Sequence, residues 1–397
     1  MTRNIAVGID IGTYQVKVAV AEQIKGINGD EPKIIGAGIS ESRGLRHGYI
    51  INGTDVVKSI RQAIAQAEKT SGQKIRRAFL SVGGIGLSGI TSIGNVVISR
   101  ADSEITELDL AKVLESCEKE IPPSLILNRK MIIVVPVQYK LDGKIVLGRP
   151  LGMKGTKLEL KALCVTCLEQ HLNDLIQAIE EAGVEVIDVW PSPFAAGLVT
   201  LNKTQKVAGC VLANIGAETV SIVVYENNLP VSLEVFPTGS TDITNDIALG
   251  LKVALDEAEH IKLGAVTTTT YPRKKLEEII TARLQDIFEL IEAHLKKIGR
   301  DGLLPAGIVI TGGGLSLGGG MGSIDELARH ALRLPSRIAS IYLGEDGKSN
   351  IKDSSWSVAF GLCVFGLTVE DTGTLGLGMF WKKIWRKIRA FITQFLP

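Results

Sequence analysis

Two segments of this chain combine a glycine-containing tight turn with hydroxyl side chains, a pairing suited to holding phosphate. They are VGIDIGTYQVKVAVAE (Val7 to Glu22) and VLANIGAETVSIVVYE (Val211 to Glu226). Each is an apolar β-rich run, a turn and a second β-rich run, a pattern that predicts a hairpin. A Gly-bearing turn presents backbone N–H groups on a concave rim, and Thr13 and Thr219 add donors close to Gly12 and Gly216. Asp10, ending the first strand, is suited to hold a hydrated Mg²⁺. Two such hairpins facing each other across a cleft would grip a polyphosphate from both sides.

The two segments align without gaps at one constant offset, with Val7/Val211, Ile11/Ile215, Gly12/Gly216, Val16/Val220, Val20/Val224 and Glu22/Glu226 identical. About half the chain separates them, which indicates a duplicated domain rather than a short-repeat array. Two unrelated hairpins of similar strand composition are the simpler alternative. A third glycine cluster, GIVITGGGLSLGGG (Gly307 to Gly320), follows another apolar strand and precedes a helix expected from about Ser323. Alone, Gly312, Gly313 and Gly314 suit a plain strand-to-helix turn. The order strand–DIGT, strand–NIGAET, strand–TGGG is far more specific.

The scaffold that must position these turns has 397 residues, enough for two or three domains. It is 45% hydrophobic and 22% charged, with 43 Gly and 13 Pro, which excludes a disordered, collagen-like or disulfide-built chain. No uncharged apolar run reaches the roughly 18 residues of a membrane-spanning helix. The run MTRNIAVGIDIG meets Asp10 before any long apolar stretch, so no secretory signal is expected. Five cysteines, an odd number, read as cytosolic thiols. Cys164 and Cys167 form a CxxC pair inside an apolar strand-like run, where buried thiols are expected rather than a metal site.

A net charge of +1 argues against bulk nucleic-acid binding, yet it hides an asymmetry. Between Phe380 and Pro397 lie Lys382, Lys383, Arg386, Lys387 and Arg389 with no acid, so the remainder of the chain is net acidic. On a helical wheel Phe380, Trp381, Ile384, Trp385, Ile388, Phe391, Ile392, Phe395 and Leu396 fill one arc of roughly 160°, and the cations fill the rest. That segregation fits an interfacial helix lying among lipid headgroups. Each apolar side chain buried is worth about 1.5–3 kcal/mol at most, and each cation roughly 1 kcal/mol at an anionic leaflet. A helix docked on its own domain and a partner groove are the alternatives. Glu370 to Gly378 is a short Gly-rich link to this segment.

The collinear set of motifs resembles the actin-like ATPase superfamily and, within it, the FtsA family. GLRHGYIING (Gly44 to Gly53), preceding a helix expected over Asp55 to Ser71, is similar to that family's segment before its first long helix. EITELD (Glu104 to Asp109) and RPLGMKG (Arg149 to Gly155) resemble motifs framing the inserted 1C subdomain, and TDITNDIALGL (Thr241 to Leu251) and DEAEHIKLG (Asp256 to Gly264) resemble nucleotide-facing segments of the second domain. The resemblance implies an α/β, ribonuclease H-like duplicated, two-domain ATPase fold with an inserted SHS2-type 1C subdomain and a C-terminal amphipathic helix. The implied divisions are 1–83 and 161–200 for the first domain, 84–160 for the insert, and 201–235 with 300–345 for the core of the second. Residues 236–299 would form its 2B-type part, 346–369 the return to the first domain, 370–378 the linker and 379–397 the membrane helix.

The resemblance also implies ligands, ATP and Mg²⁺. Asp10, Gly12, Thr13, Tyr14 and Lys17 match the first phosphate loop, and Asn214, Gly216, Ala217, Glu218 and Thr219 the second. Gly239 falls where the family contacts phosphate, Glu259 and Lys262 beside ribose and adenine, and Gly312, Gly313 and Gly314 under the base. Asp10 and Asn214 are the implied metal-facing pair. Two departures limit hydrolysis. The second loop usually opens with Asp, whereas Asn214 is an amide that cannot act as a base, and Ser192 replaces the Glu or Gln that orients water in relatives. Glu218 would repel a triphosphate unless its side chain turns away. ATP is therefore expected to bind and to turn over slowly, acting mainly on interdomain closure.

A helix is expected over Arg273 to Gly299, with Ile279, Ile280, Leu284, Ile287, Phe288, Ile291 and Leu295 inward and Arg273, Lys274, Lys275 and Arg283 outward. In the FtsA family this region receives the tail of the tubulin-like protein FtsZ, a role the resemblance assigns to Arg283. The remaining implied partners are a second copy of the chain in a filament, an anionic phospholipid bilayer at the cytoplasmic face of the division site, and later division proteins recruited through the insert. The alternatives are a PilM-like scaffold of pilus assembly, a metabolite kinase, and an MreB-like cytoskeletal protein. A kinase would need a carboxylate base that Ser192 and Asn214 do not supply, and the insert argues against MreB.

Overall fold

The computed structural model describes residues 4–25, 30–265, 270–315, 317, 324–343, 349–351 and 353–371. The first lobe opens with β1 (Ile5–Ile11), β2 (Gln15–Lys25), β3 (Asp30–Glu41), α1 (Gly53–Ser71) and β4 (Arg77–Val82). An insert follows: β5 (Leu87–Val97), α2 (Glu107–Lys119), β6 (Arg129–Leu141), β7 (Lys144–Val146) and β8 (Lys157–Leu168). The first lobe then resumes with α3 (Glu169–Glu181), β9 (Glu185–Pro191) and α4 (Ser192–Thr200). The second lobe is β10 (Cys210–Ile215), β11 (Val220–Glu226), β12 (Leu229–Phe236), α5 (Ser240–Leu251), α6 (Leu255–Lys262), α7 (Arg273–Lys297), β13 (Ile308–Thr311), α8 (Ile324–Leu332) and β14 (Ser336–Ile338). A last helix, α9 (Ser357–Asp371), returns to the first lobe.

The sequence repeat is a structural repeat. The first sheet has the order β9-β4-β1-β2-β3 and the second β14-β13-β10-β11-β12. In both, the hairpin is antiparallel and the strand on its other side is parallel. Even the register recurs: Ile11 opposes Val16 as Ile215 opposes Val220, and Asp10 opposes Lys17 as Asn214 opposes Ser221. Alternation along each strand divides the second lobe's core. Val211, Ala213 and Ile215 pack with Ile243, Ile247, Ile287, Phe288 and Ile291 of α5 and α7, while Cys210 and Leu212 join the first lobe's core. Of the inward positions expected on α7, Ile280, Leu284, Ile287, Phe288, Ile291 and Leu295 are buried and Ile279 is partly buried.

Within the first lobe, α4 and α9 cross. A Cβ added at Gly361 would lie 1.9 Å from the Ala195 carbonyl oxygen, so the two backbones touch. Gly8 of β1 is as close to α9, 2.4 Å from such a Cβ to the Ala359 oxygen. Phe365 stacks on Trp190 with ring centroids 4.0 Å apart and meets Phe79 edge-on. These contacts anchor α9 across the first sheet.

The insert is a sheet of order β5-β8-β6-β7 covered by α2, with Leu110, Val113, Leu114 and Cys117 against Leu158, Leu160 and Cys164. The framing motifs pair with each other: Ile105 N–H donates to Met153 O at 2.9 Å, Gly152 N–H to Ile105 O at 2.9 Å, and Arg149 bridges Glu107 at 2.5 Å. The closing strand β8 runs unbroken past the division expected at residue 160, because it hydrogen-bonds β5 and β6 along its whole length. Cys164 and Cys167 both lie on β8 and are buried, with thiol pKa values pushed up to about 12 by desolvation. Gly89 of the insert abuts Leu233 of β12, so the insert also touches the second lobe.

Among the described residues no helix is long and apolar enough to cross a membrane. The segment 379–397 and most of the expected linker lie outside the described residues; α9 itself extends to Asp371.

Gly361→Val should force α4 and α9 apart. Overpacking of this kind costs about 1–3 kcal/mol or more, expected as a fall of several degrees in Tm and readable by calorimetry.

Candidate functional site

Each repeated hairpin turn is closed by the same hydrogen bond. Gly12 N–H donates to Gln15 O at 3.1 Å, and Gly216 N–H to Thr219 O at 2.9 Å. The turns face one cavity of about 720 Å³ between the lobes, within the range of small-molecule and cofactor sites. Asp10, Gly12, Thr13, Tyr14, Lys17, Asn214, Gly216, Ala217, Thr219, Glu259, Lys262, Gly312, Gly313 and Gly314 all line it.

Glu218 and Gly239 do not line it. The Glu218 carboxylate accepts the backbone N–H of His47 in the first lobe, and its carbonyl oxygen lies 3.2 Å from His47 Nδ1. Its negative charge is thus turned out of the cavity. Gly239 sits behind the second loop, where a Cβ would lie 2.4 Å from the Ala217 oxygen. That proximity lets the first amides of α5 reach the loop: Ser240 N–H donates to Gly216 O at 3.0 Å and Thr241 N–H to Ala217 O at 2.7 Å.

Asp10 accepts a hydrogen bond from Ser81 Oγ at 2.7 Å. Burial raises its carboxyl above the usual carboxylate range, opposed by that bond and by Lys17. Lys17, opposite it on β2, is buried and donates to Ser355 O at 3.0 Å, with Nζ 5.8 Å from the Trp356 ring centre. Burial lowers its pKa, and Asp10 and Asp353 oppose that fall. Lys17 therefore stands on the wall of the cleft between Asp10 and the returning chain at Ser355. Asn214, the counterpart of Asp10, is an amide opposite Ser221, so the second loop lacks both the acid and the base of the first.

Glu259 and Lys262 form a compact network on the second lobe. Lys262 is buried and donates to Glu259 Oε2 at 2.7 Å, Thr244 Oγ1 at 2.9 Å and Ser240 O at 3.2 Å, while Thr244 donates to Glu259 at 2.5 Å. An ordinary solvated helix lysine would make none of these. Gly312 has φ +108°, a region only glycine adopts freely, and a Cβ there would lie 2.5 Å from Asn214 Oδ1. The third glycine cluster thus packs directly on the second loop.

Arg283 of α7 is not a free cation. Its guanidinium grips Asp246 of α5 with two hydrogen bonds, 2.7 and 3.1 Å, and lies 3.4 Å from Asp286. Arg273, Lys274 and Lys275 are exposed.

Several lining residues escaped the sequence reading: Ser81, Gly83, Gly84, Ser240, Asp353 and Ser355, while Thr244 falls in the segment Thr241 to Leu251 read as nucleotide-facing. The signal for the first group was present. SVGG (Ser81 to Gly84) follows β4 as TGGG (Thr311 to Gly314) follows β13, and those strands take equivalent places beside the two hairpins. Ser240 and Thr244 stand four apart on α5, which puts both hydroxyls on one face. Nothing local marks Asp353 and Ser355; the return of the chain into α9 brings them in.

Comparison with known proteins agrees with this architecture. The family model described as Cell division protein FtsA matches residues 211–361, and that of the SHS2 domain inserted in FTSA matches residues 84–166. The chain is 31% identical over 384 residues to Cell division protein FtsA of Bacillus subtilis (strain 168), covering 91% of this chain and 83% of that one. Among solved structures, a chain of the PilM-PilN type IV pilus biogenesis complex superposes with TM-score 0.63 at 16% identity, covering 91% of this chain and 98% of its own. MreB5 of Spiroplasma citri bound to ADP superposes with TM-score 0.52 at 14% identity, covering 93% and 98%. At such identities these two likenesses are of fold alone.

Lys262→Met should leave the Glu259 carboxylate without its cation. Because Glu259 is part-exposed, the expected loss is about 1–2 kcal/mol. Urea unfolding should show it, and a Lys262→Met, Glu259→Gln double variant should recover most of it.

Proposed function

The chain belongs to the FtsA family of cell-division proteins and has the actin-like fold with its SHS2 insert, and from that premise we propose that it is an ATP-binding adaptor tethering FtsZ filaments to the membrane. The observation that carries the nucleotide half is the convergence of both repeated loops, a buried Lys17 and the Glu259–Lys262 network on one cavity. Thr13, Thr219 and the loop backbones face phosphate in this reading, and Lys17 offsets its charge. The Glu259–Lys262 side takes ribose and base, and the Gly312–Gly314 loop supports the base.

Asp10 is the carboxylate that would hold Mg²⁺, with Asn214 opposite, and the ion would supply charge neutralisation to the phosphates. The residues suit that role: Asp10 is kept in place by the Ser81 hydroxyl, and Lys17 shares its surroundings. No carboxylate base stands on the second loop, since Asn214 is an amide, Ser192 opens α4 and Glu218 is committed to His47. Nucleotide therefore acts here on the angle between the lobes more than as fuel. A turnover in the range of about 1–100 s⁻¹ typical of kinases would contradict this.

Segment 380–397 carries the membrane half. Its aromatic arc and its five cations suit an anionic cytoplasmic leaflet, and the short link to α9 would keep the body close to the lipid. The outer face of α7 is the proposed seat of the FtsZ tail, with Arg273, Lys274 and Lys275 exposed and Arg283 braced by Asp246. Self-assembly and recruitment of later division proteins through the insert complete the reading, which places the protein at the division site.

Two experiments test it. Because burial raises the Asp10 carboxyl, Mg²⁺-dependent ATP binding should weaken as pH falls, starting above the ordinary carboxylate value of about 4. Titration calorimetry should find Asp10→Asn roughly 10-fold weaker and flat over the same pH window. Deleting Phe380 to Pro397, or changing Trp385→Glu, should abolish co-sedimentation with anionic vesicles while ATP affinity stays constant; retained vesicle binding by Trp385→Glu would overturn the interfacial role.

A further inference from the structure

Glu218 lies beside the turn of the second hairpin, and the chain spends its side chain on the opposite lobe. His47, in the loop after β3, has the left-handed φ of +49°, which aims its backbone N–H at the Glu218 carboxylate and its ring Nδ1 at the Glu218 carbonyl, 3.2 Å away. With the carbonyl as acceptor, the proton belongs on Nδ1. We propose that Glu218 and His47 form a latch across the cleft, positioning the second phosphate loop and setting the rate at which the lobes part.

Both sides of the latch are firmly mounted. On the second lobe, the amides of Ser240 and Thr241 fix the loop's carbonyls at Gly216 and Ala217. On the first lobe, the His47 loop is closed by Ile51 N–H and Asn52 N–H donating to Gly44 O at 2.8 and 3.1 Å. His47 O in turn accepts Ile85 N–H at 3.3 Å, and a Cβ at Gly84 would lie 2.7 Å from that oxygen. Gly84 and Ile85 are where the chain enters the insert. A shift of the second phosphate loop is thereby passed through one residue to the root of the insert.

The latch also resolves the charge problem of an acid beside a polyphosphate site. A carboxylate turned onto a backbone donor is held by a charge-assisted hydrogen bond, stronger than a neutral one. Opening the cleft breaks that bond and exposes the carboxylate near the departing anion, so closure and retention of ligand favour each other. The effect on ligand release rests on the nucleotide reading above; the contact itself does not.

The test uses the full chain and three variants of matched melting temperature: Glu218→Ala, Glu218→Gln and His47→Ala. Hydrogen exchange of the segment around His47, measured without nucleotide, should quicken about 10-fold in Glu218→Ala and little in Glu218→Gln, which keeps an acceptor. Chase of a fluorescent ATP analogue should show release quickened by a similar factor in Glu218→Ala, less in His47→Ala, and no further in the double variant. Unchanged exchange in Glu218→Ala overturns the latch, and quickened exchange with unchanged release overturns its control of opening. If the parent chain holds no ATP at all, the nucleotide reading fails while the exchange result still decides the contact.

Discussion

The backbone contact between α4 and α9 is the constraint on which the rest of the molecule depends. Gly361 lets the two helices touch at Ala195 with no side chain between them. One helix leads out of the first lobe and the other leads back into it, so their crossing ties the chain's departure to its return. The first residues of both helices reach the cavity, Ser192 from α4 and Val358 from α9, and the two hairpin turns face it. The returning chain also brings Asp353 and Ser355 to the end of Lys17, linking it to the first hairpin.

The two halves are equal in topology and unequal in chemistry. Strand order and register repeat, yet the Asp10–Lys17 pair of one hairpin becomes Asn214–Ser221 in the other. The acid and the cation both belong to the first lobe. The second lobe contributes hydroxyls, glycines and the Glu259–Lys262 network, groups that shape and line more than they charge. The ionic groups of the first hairpin thus have no counterpart in the second, and the second lobe's own ion pair stands on α6 instead.

Much of this was legible in the residues. The repeat could be found because both hairpins solve one problem, a tight turn between buried strands, and that problem admits few residue choices at Gly12 and Gly216. The spacing of Glu259 and Lys262 on a helix placed them on one face, where the structure joins them. Other features were closed to local reasoning. The outward turn of Glu218 depends on His47, which approaches only when both lobes are assembled. Arg283 looked like a surface cation because its partner Asp246 lies on another helix. The division expected at residue 160 falls inside β8, which serves two cores, Cys164 facing one and Cys167 the other, with no change in composition to mark the passage.

The insert's entry and exit are neighbours: Leu87, opening β5, pairs with Cys167 near the end of β8. A module whose two attachment points are adjacent can be inserted without separating the strands of its host. One face of its sheet packs under α2 and the other joins the core of its host, and Ile105, Met153, Arg149 and Glu107 tie its framing segments together. Because its other face packs on the host and Gly89 meets Leu233, a change at the insert's root is felt by both lobes, whereas the face under α2 is insulated from them.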